Sequence, residues 1–150
     1  VRGISAGAQR AAGILRLHYV IEGEIEAVRL PARGVQPIWQ HTCCEAFIAR
    51  RATPAYHEFN FSPSGDWAAY AFADYRRGAA MEIADPGIAM KLTIGTLELQ
   101  AAVALPEGPA MVGLSAVIEE RDGRLSYWAL RHAPGKPDFH HRGAFALELA

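Results

Sequence analysis

From Tyr56 to Tyr70 the chain reads Tyr-His-Glu-Phe-Asn-Phe-Ser-Pro-Ser-Gly-Asp-Trp-Ala-Ala-Tyr. No other stretch limits the fold so tightly. Side chains alternate along a strand, so Phe59 and Phe61 share one face with His57, and Tyr56, Glu58 and Asn60 share the other. Ser62-Pro-Ser-Gly-Asp66 supplies turn chemistry: Pro63 presets its φ, and Gly65 is free to take a positive one. Trp67 opens the return strand. The result is a β-hairpin with an apolar face and a polar row. An acid, an amide and a phenol in one row are costly to bury without partners, so the row points to a ligand-binding face.

The rest of the chain is punctuated by Gly and Pro every ten to fifteen residues. Strands are predicted at 14–21, 25–30, 42–49, 56–62, 67–75, 88–94, 96–105, 111–119, 125–132 and 144–149. Leu15, Leu17, Tyr19 and Ile21 form one apolar face of the first, with Arg16 and His18 opposite. Leu97 to Leu105 alternate in the same way around Glu98 and Gln100. Asp122-Gly123 is a hairpin signal. No segment sustains helical periodicity; only 74–81 and the Ala-rich N-terminus favour a helix, and both are short. About ten strands joined by hairpins predict an all-β fold, an antiparallel β-sandwich or barrel. With 150 residues, no repeat and no linker, one domain over 1–150 is expected.

A formal net charge of −1 lacks the basic footprint that nucleic-acid binding needs. The longest apolar runs are strand-length, short of the roughly 20 residues a membrane helix requires. A chain opening on Val1 leaves room for a leader ahead of it, so cytoplasm and periplasm both stay open. Cys43 and Cys44 are adjacent, point to opposite faces of a strand, and read as buried thiols.

Four stretches carry a family resemblance: Trp39-Gln-His-Thr-Cys-Cys-Glu-Ala-Phe47, the hairpin from Tyr56 to Trp67, Ser126-Tyr-Trp-Ala-Leu130, and Lys136-Pro-Asp-Phe-His-His141. Together they resemble bacterial DOMON-like proteins, a group similar to family 9 carbohydrate-binding modules and to DOMON domains that bind haem or sugars. The resemblance runs from about Arg10 onward. It implies a jelly-roll-like sandwich of two antiparallel sheets, whose concave face carries a small ligand, most readily a carbohydrate. It also implies a site role for a Trp followed six residues later by a Glu, a spacing that Trp39 and Glu45 reproduce. A late aromatic, Trp128 or Tyr127, would complete the clamp.

The expected ligand-binding set is Trp39, Glu45, Glu58, Asn60, Trp128 and Arg131. Glu45, in mid-strand between Cys44 and Ala46, lies near the core and must pair or shift its pKa; Arg16 or Arg131 is the expected partner. Glu58 and Asn60 lie about 7 Å apart on their strand. Trp67, beside core phenylalanines, reads as packing. A competing reading is a b-type haem module with Met81 or Met111 and His132 or His140 as iron ligands. A third is a glycoside-active enzyme or accessory domain using Glu45 and Glu58. A structural calcium ion fits the family, without a dense oxygen-ligand motif in this chain. The loop from 133 to 143 is expected to be held by Asp138 and Lys136. No nucleophile elbow, P-loop, dinucleotide fingerprint or HExxH motif occurs.

Overall fold

The computed structural model describes residues 1–150 throughout. It contains two antiparallel sheets. The smaller holds β1 (Gly3–Ala11), β2 (Ile14–Glu22), β7 (Ala89–Leu92) and β8 (Thr96–Ala104), in the order β1-β2-β8-β7. The larger is built on β3 (Cys43–Ala49), β4 (Tyr56–Phe61), β5 (Trp67–Asp74), β6 (Arg77–Met81), β9 (Ala110–Glu119) and β10 (Leu125–Ala129). Its order is β10-β9-β3-β4-β5-β6, and β11 (Leu147–Leu149) adds a seventh strand beside the start of β9. The protein is therefore an all-β sandwich. No helix is long and apolar enough to cross a membrane.

The core lies between the sheets and follows the alternation of the sequence. Leu15, Leu17, Tyr19 and Ile21 of β2 meet Cys44, Ala46 and Ile48 of β3 and Phe59 and Phe61 of β4. Each buried leucine, isoleucine or phenylalanine among them contributes roughly 1.5–3 kcal/mol by leaving water. Inward Phe59 and Phe61 send Tyr56, Glu58 and Asn60 to the outer face of the larger sheet. Cys44 enters the core while Cys43 faces outward, and both thiols are free and buried. Gly65 takes φ +94° in the β4–β5 turn and Gly123 φ +90° in the β9–β10 turn, the conformation a side chain resists.

Three local expectations are corrected. The Ala-rich N-terminus is β1, paired along its whole length with β2; a waiting partner edge overrides the helix preference of alanine. Residues 74–81 contain no helix: β5 turns back through Tyr75 and Arg76 into β6. Gly78 permits that return, because a Cβ there would lie 2.2 Å from the Ala71 carbonyl oxygen. Residues 25–30 form a 3-10 turn, Ile25–Ala27, instead of a strand, and a single bridge joins Val28 to Glu120.

Candidate functional site

The register of the larger sheet stacks the outward side chains in rows. Ser115, Glu45, Asn60 and Ala68 lie side by side across β9, β3, β4 and β5. The next row holds Gly113, Phe47, Glu58 and Tyr70, and the one after it Ala49, Tyr56 and Phe72. Glu45 and Glu58 are diagonal neighbours, roughly 7 Å apart by sheet geometry.

Two segments lie over this face. The 3-10 turn Ile38–Gln40 buries Ile38 against Cys43 and Val117 and leaves Trp39 45% exposed above them. The loop between β10 and β11 lays Phe139 and His140 across the other side. Arg142 anchors that loop by donating to the carbonyl oxygens of Arg50, Thr53 and Ala55. Between these covers remains a cavity of about 330 Å³. Glu45, Phe47 and Glu58 form its floor, Tyr70, Phe72 and Tyr127 its walls, and Trp39, Phe139 and His140 its roof, with Arg76 at the rim.

The two floor carboxyls are almost wholly buried and have no lysine or arginine partner. Burial, with the neighbouring Glu58 charge, pushes Glu45 up to about 8; hydrogen bonds from Cys43 and Ser115 only partly oppose it. Ser115 Oγ donates to Glu45 Oε1 at 3.3 Å, and Cys43 Sγ to Oε2 at 3.6 Å. Burial likewise raises Glu58 to about 7, against the Asn60 amide and the Arg76 charge. The same burial, reinforced by Glu45, holds the Cys43 thiol protonated and unreactive.

His140 is boxed by aromatic rings, edge-on to Phe47 at 5.0 Å and to Phe72 at 5.1 Å. Burial and the nearby Arg76 charge lower it to about 4, so the ring is neutral near pH 7. Tyr56 Oη lies 2.8 Å from Nδ1, and Glu58 Oε1 lies 3.3 Å from Nε2. The Tyr56 hydroxyl already accepts from the Arg76 backbone N–H at 2.9 Å, so its one proton points to His140 Nδ1. That places the imidazole proton on Nε2, on the side of Glu58, with no hydrogen bond formed between the two.

Arg76 sits at φ +55°, a left-handed conformation unfavourable for a non-glycine residue. Its guanidinium donates to Asp138 Oδ1 at 2.9 Å and to Tyr75 Oη at 3.2 Å. Tyr75 also donates to Asp138, and the His140 backbone N–H donates to Asp138 Oδ1 at 3.1 Å. Asp138 thus ties the loop down, as expected from the sequence, and its carboxylate neutralises the one arginine at the cavity mouth.

Of the residues singled out from the sequence, the cavity brings together Trp39, Glu45, Glu58 and His140. Asn60 is fully buried beside Glu45 and does not border the cavity, because Ile38 packs against Ala68 at the end of its row; neither of its amide atoms makes a hydrogen bond of good geometry. Trp128 pairs with Ala116 on the inward side and packs on the core, while Tyr127, one residue earlier, reaches the cavity. Arg131 is exposed and donates to the Ala146 carbonyl, and Arg16 lies on the smaller sheet; neither pairs with Glu45. Trp67 is 36% exposed opposite Phe61 rather than sealed in the core.

The haem ligand set is dispersed. Met81 packs toward the inter-sheet core, Met111 beside Phe145, and His132 lies behind Phe139. His140 reaches the cavity with Nδ1 engaged by Tyr56 and no methionine beside it. This donor set does not suit an iron with two protein axial ligands. No group of three His, Cys, Asp or Glu side chains is arranged to hold a metal ion.

The sequence reading missed Tyr70, Phe72, Arg76 and Phe139. Tyr70 and Phe72 share the parity of the polar row's partners across the hairpin, a readable signal. Arg76 and Phe139 come from a turn and a loop, where no period places a side chain.

No family model matches the sequence, and no curated protein matches it. Among solved structures, the fold is similar to a crystal structure of a "putative carbohydrate-binding protein" from Bacteroides uniformis ATCC 8492. The TM-score is 0.71 at 15% sequence identity, over 94% of this chain and 75% of the other. At that identity the likeness is one of fold.

Proposed function

We propose that this protein is a non-catalytic module that binds a carbohydrate in the cavity on the outer face of its larger sheet. One observation carries the reading: two buried carboxyls floor a cavity whose walls and roof are aromatic. Sugars present apolar C–H faces beside hydroxyl groups, and they need both surfaces at once. Trp39, Tyr70 and Tyr127 offer stacking faces. Glu45 and Glu58 accept from hydroxyls, or donate to them while protonated. A cavity of about 330 Å³ matches one or two sugar-sized groups. The motif resemblance to DOMON-like proteins and family 9 modules supports the same assignment, and so does a neighbour of like fold described as binding carbohydrate.

The test is titration of the purified protein with a mono- and disaccharide panel, followed by Trp fluorescence and calorimetry. Saturable binding lost in Trp39→Ala and Glu58→Gln upholds the reading. A panel that leaves both signals flat overturns it.

A further inference from the structure

We propose that the sugar bound here carries a free amine, seated as an ammonium between Glu45 and Glu58 under the aromatic roof. The proposal rests on the carbohydrate reading and deepens it by naming the ligand class.

The charges at the cavity do not balance. Four charged side chains bear on it: Glu45, Glu58, Arg76 and, through Arg76, Asp138. The Arg76 guanidinium is committed to Asp138 at 2.9 Å. His140 is neutral and brings Glu58 no charge. Glu45 has only a hydroxyl and a thiol as donors. Two buried carboxyls therefore face the cavity with no cation of the protein's own paired to either. Such a site is unfavourable for their ionised forms until a positive ligand arrives.

The walls suit the same ligand. A cation gains from the faces of aromatic rings, and more so where water is excluded. Tyr70, Phe72 and Tyr127 surround the floor, with Trp39 and Phe139 above it. A neutral sugar would stack on these faces and hydrogen-bond to the carboxyls, but it would bring them no positive charge. An N-acetylated sugar would place an apolar acetyl against two acids.

Protons enter the binding equilibrium. Facing the pair are Cys43 and Ser115 from the flanking strands, Tyr70 and Asn60 beside it, and His140 and Arg76 above. Tyr56 completes the set behind His140. None of these is a free cation. The free protein accordingly holds protons on Glu45 and Glu58 near neutrality, and an ammonium displaces them.

The experiment is isothermal titration at pH 7 with D-glucosamine, D-glucose, N-acetyl-D-glucosamine and cyclohexylamine, each in phosphate and in MOPS. We expect glucosamine to bind about tenfold or more tighter than glucose or N-acetylglucosamine. Its binding enthalpy should shift between the two buffers, the mark of proton release. In Glu45→Gln and Glu58→Gln, checked as folded by their unfolding transitions, that preference and that shift should disappear. Equal binding of glucose and glucosamine overturns the amine inference and leaves the carbohydrate reading standing. Cyclohexylamine binding as tightly as glucosamine, with glucose inert, supports the amine and overturns the carbohydrate. Failure of all four probes overturns both.

Discussion

His140 Nε2 lies 3.3 Å from the Glu58 carboxyl, while the Tyr56 hydroxyl lies 2.8 Å from Nδ1 of the same ring. The hydrogen-bonded relay on the ring runs through Tyr56, and it begins at the backbone N–H of Arg76.

Removing the Tyr56 hydroxyl breaks this relay at its centre. Tyr56→Phe leaves the Arg76 N–H and His140 Nδ1 without their partner, in a part of the fold with little water. A loss of about 1–3 kcal/mol is expected from chemical denaturation. Proton–nitrogen spectra should show His140 losing its single Nε2–H tautomer.

Stability should fall as pH rises. Glu45 moves from 4.5 to about 8 and Glu58 from 4.5 to about 7. Between those values the native state binds more protons than the unfolded chain, so their contribution is complete below pH 4.5 and is lost through pH 8. His140, lowered from 6.5 to about 4, acts in the opposite sense as pH falls through that window. The net expectation is a higher Tm at pH 5.5 than at pH 8.5, worth on the order of 3 kcal/mol. Glu45→Gln should flatten the profile; a profile that rises toward pH 8.5 would contradict the buried-pair description.

Trp39 and Trp128 should separate binding from stability. Trp39 is 45% exposed at the roof of the cavity, so Trp39→Ala should cost less than about 1 kcal/mol in unfolding while reducing sugar affinity about tenfold. Trp128 packs on the core. Trp128→Ala should destabilise by roughly 2–4 kcal/mol and leave the affinity of the folded fraction unchanged. Paired denaturation and titration curves on both variants decide it.

Asp138→Asn should act at a distance. It removes the charge that neutralises Arg76 while keeping an acceptor oxygen. The freed guanidinium charge sits at the mouth above Glu58. Glucosamine affinity should drop several-fold and glucose affinity should stay level, with small change in Tm because the pair is partly exposed.

The sandwich and the face that carries the cavity were legible because both depend on a period of two. Phe59 and Phe61 point inward, and that alone sends Glu58 outward. The same rule could not pair Glu45 with Asn60, because that neighbourhood depends on the register between β3 and β4. It failed at Trp128 by one residue: parity without a secure register cannot tell Tyr127 from its neighbour. It failed at Asn60 for another reason. Periodicity names a face but not what lies over it, and Ile38 packs on the end of that row from a turn outside the strands. Arg76 and Phe139 were out of reach because turns and loops have no period. The strand β1 was hidden by composition, since its alanines pair with β2 only once that edge exists.

Tyr19 belongs to the smaller sheet, yet its hydroxyl crosses the core and donates at 2.7 Å to the backbone carbonyl of Glu45. The smaller sheet thus steadies the depth at which the Glu45 carboxyl hangs. An evolving lineage has two dials for tuning this cavity: the side chains that line it, and a single phenol on the far side of the molecule that a map of ligand contacts would overlook.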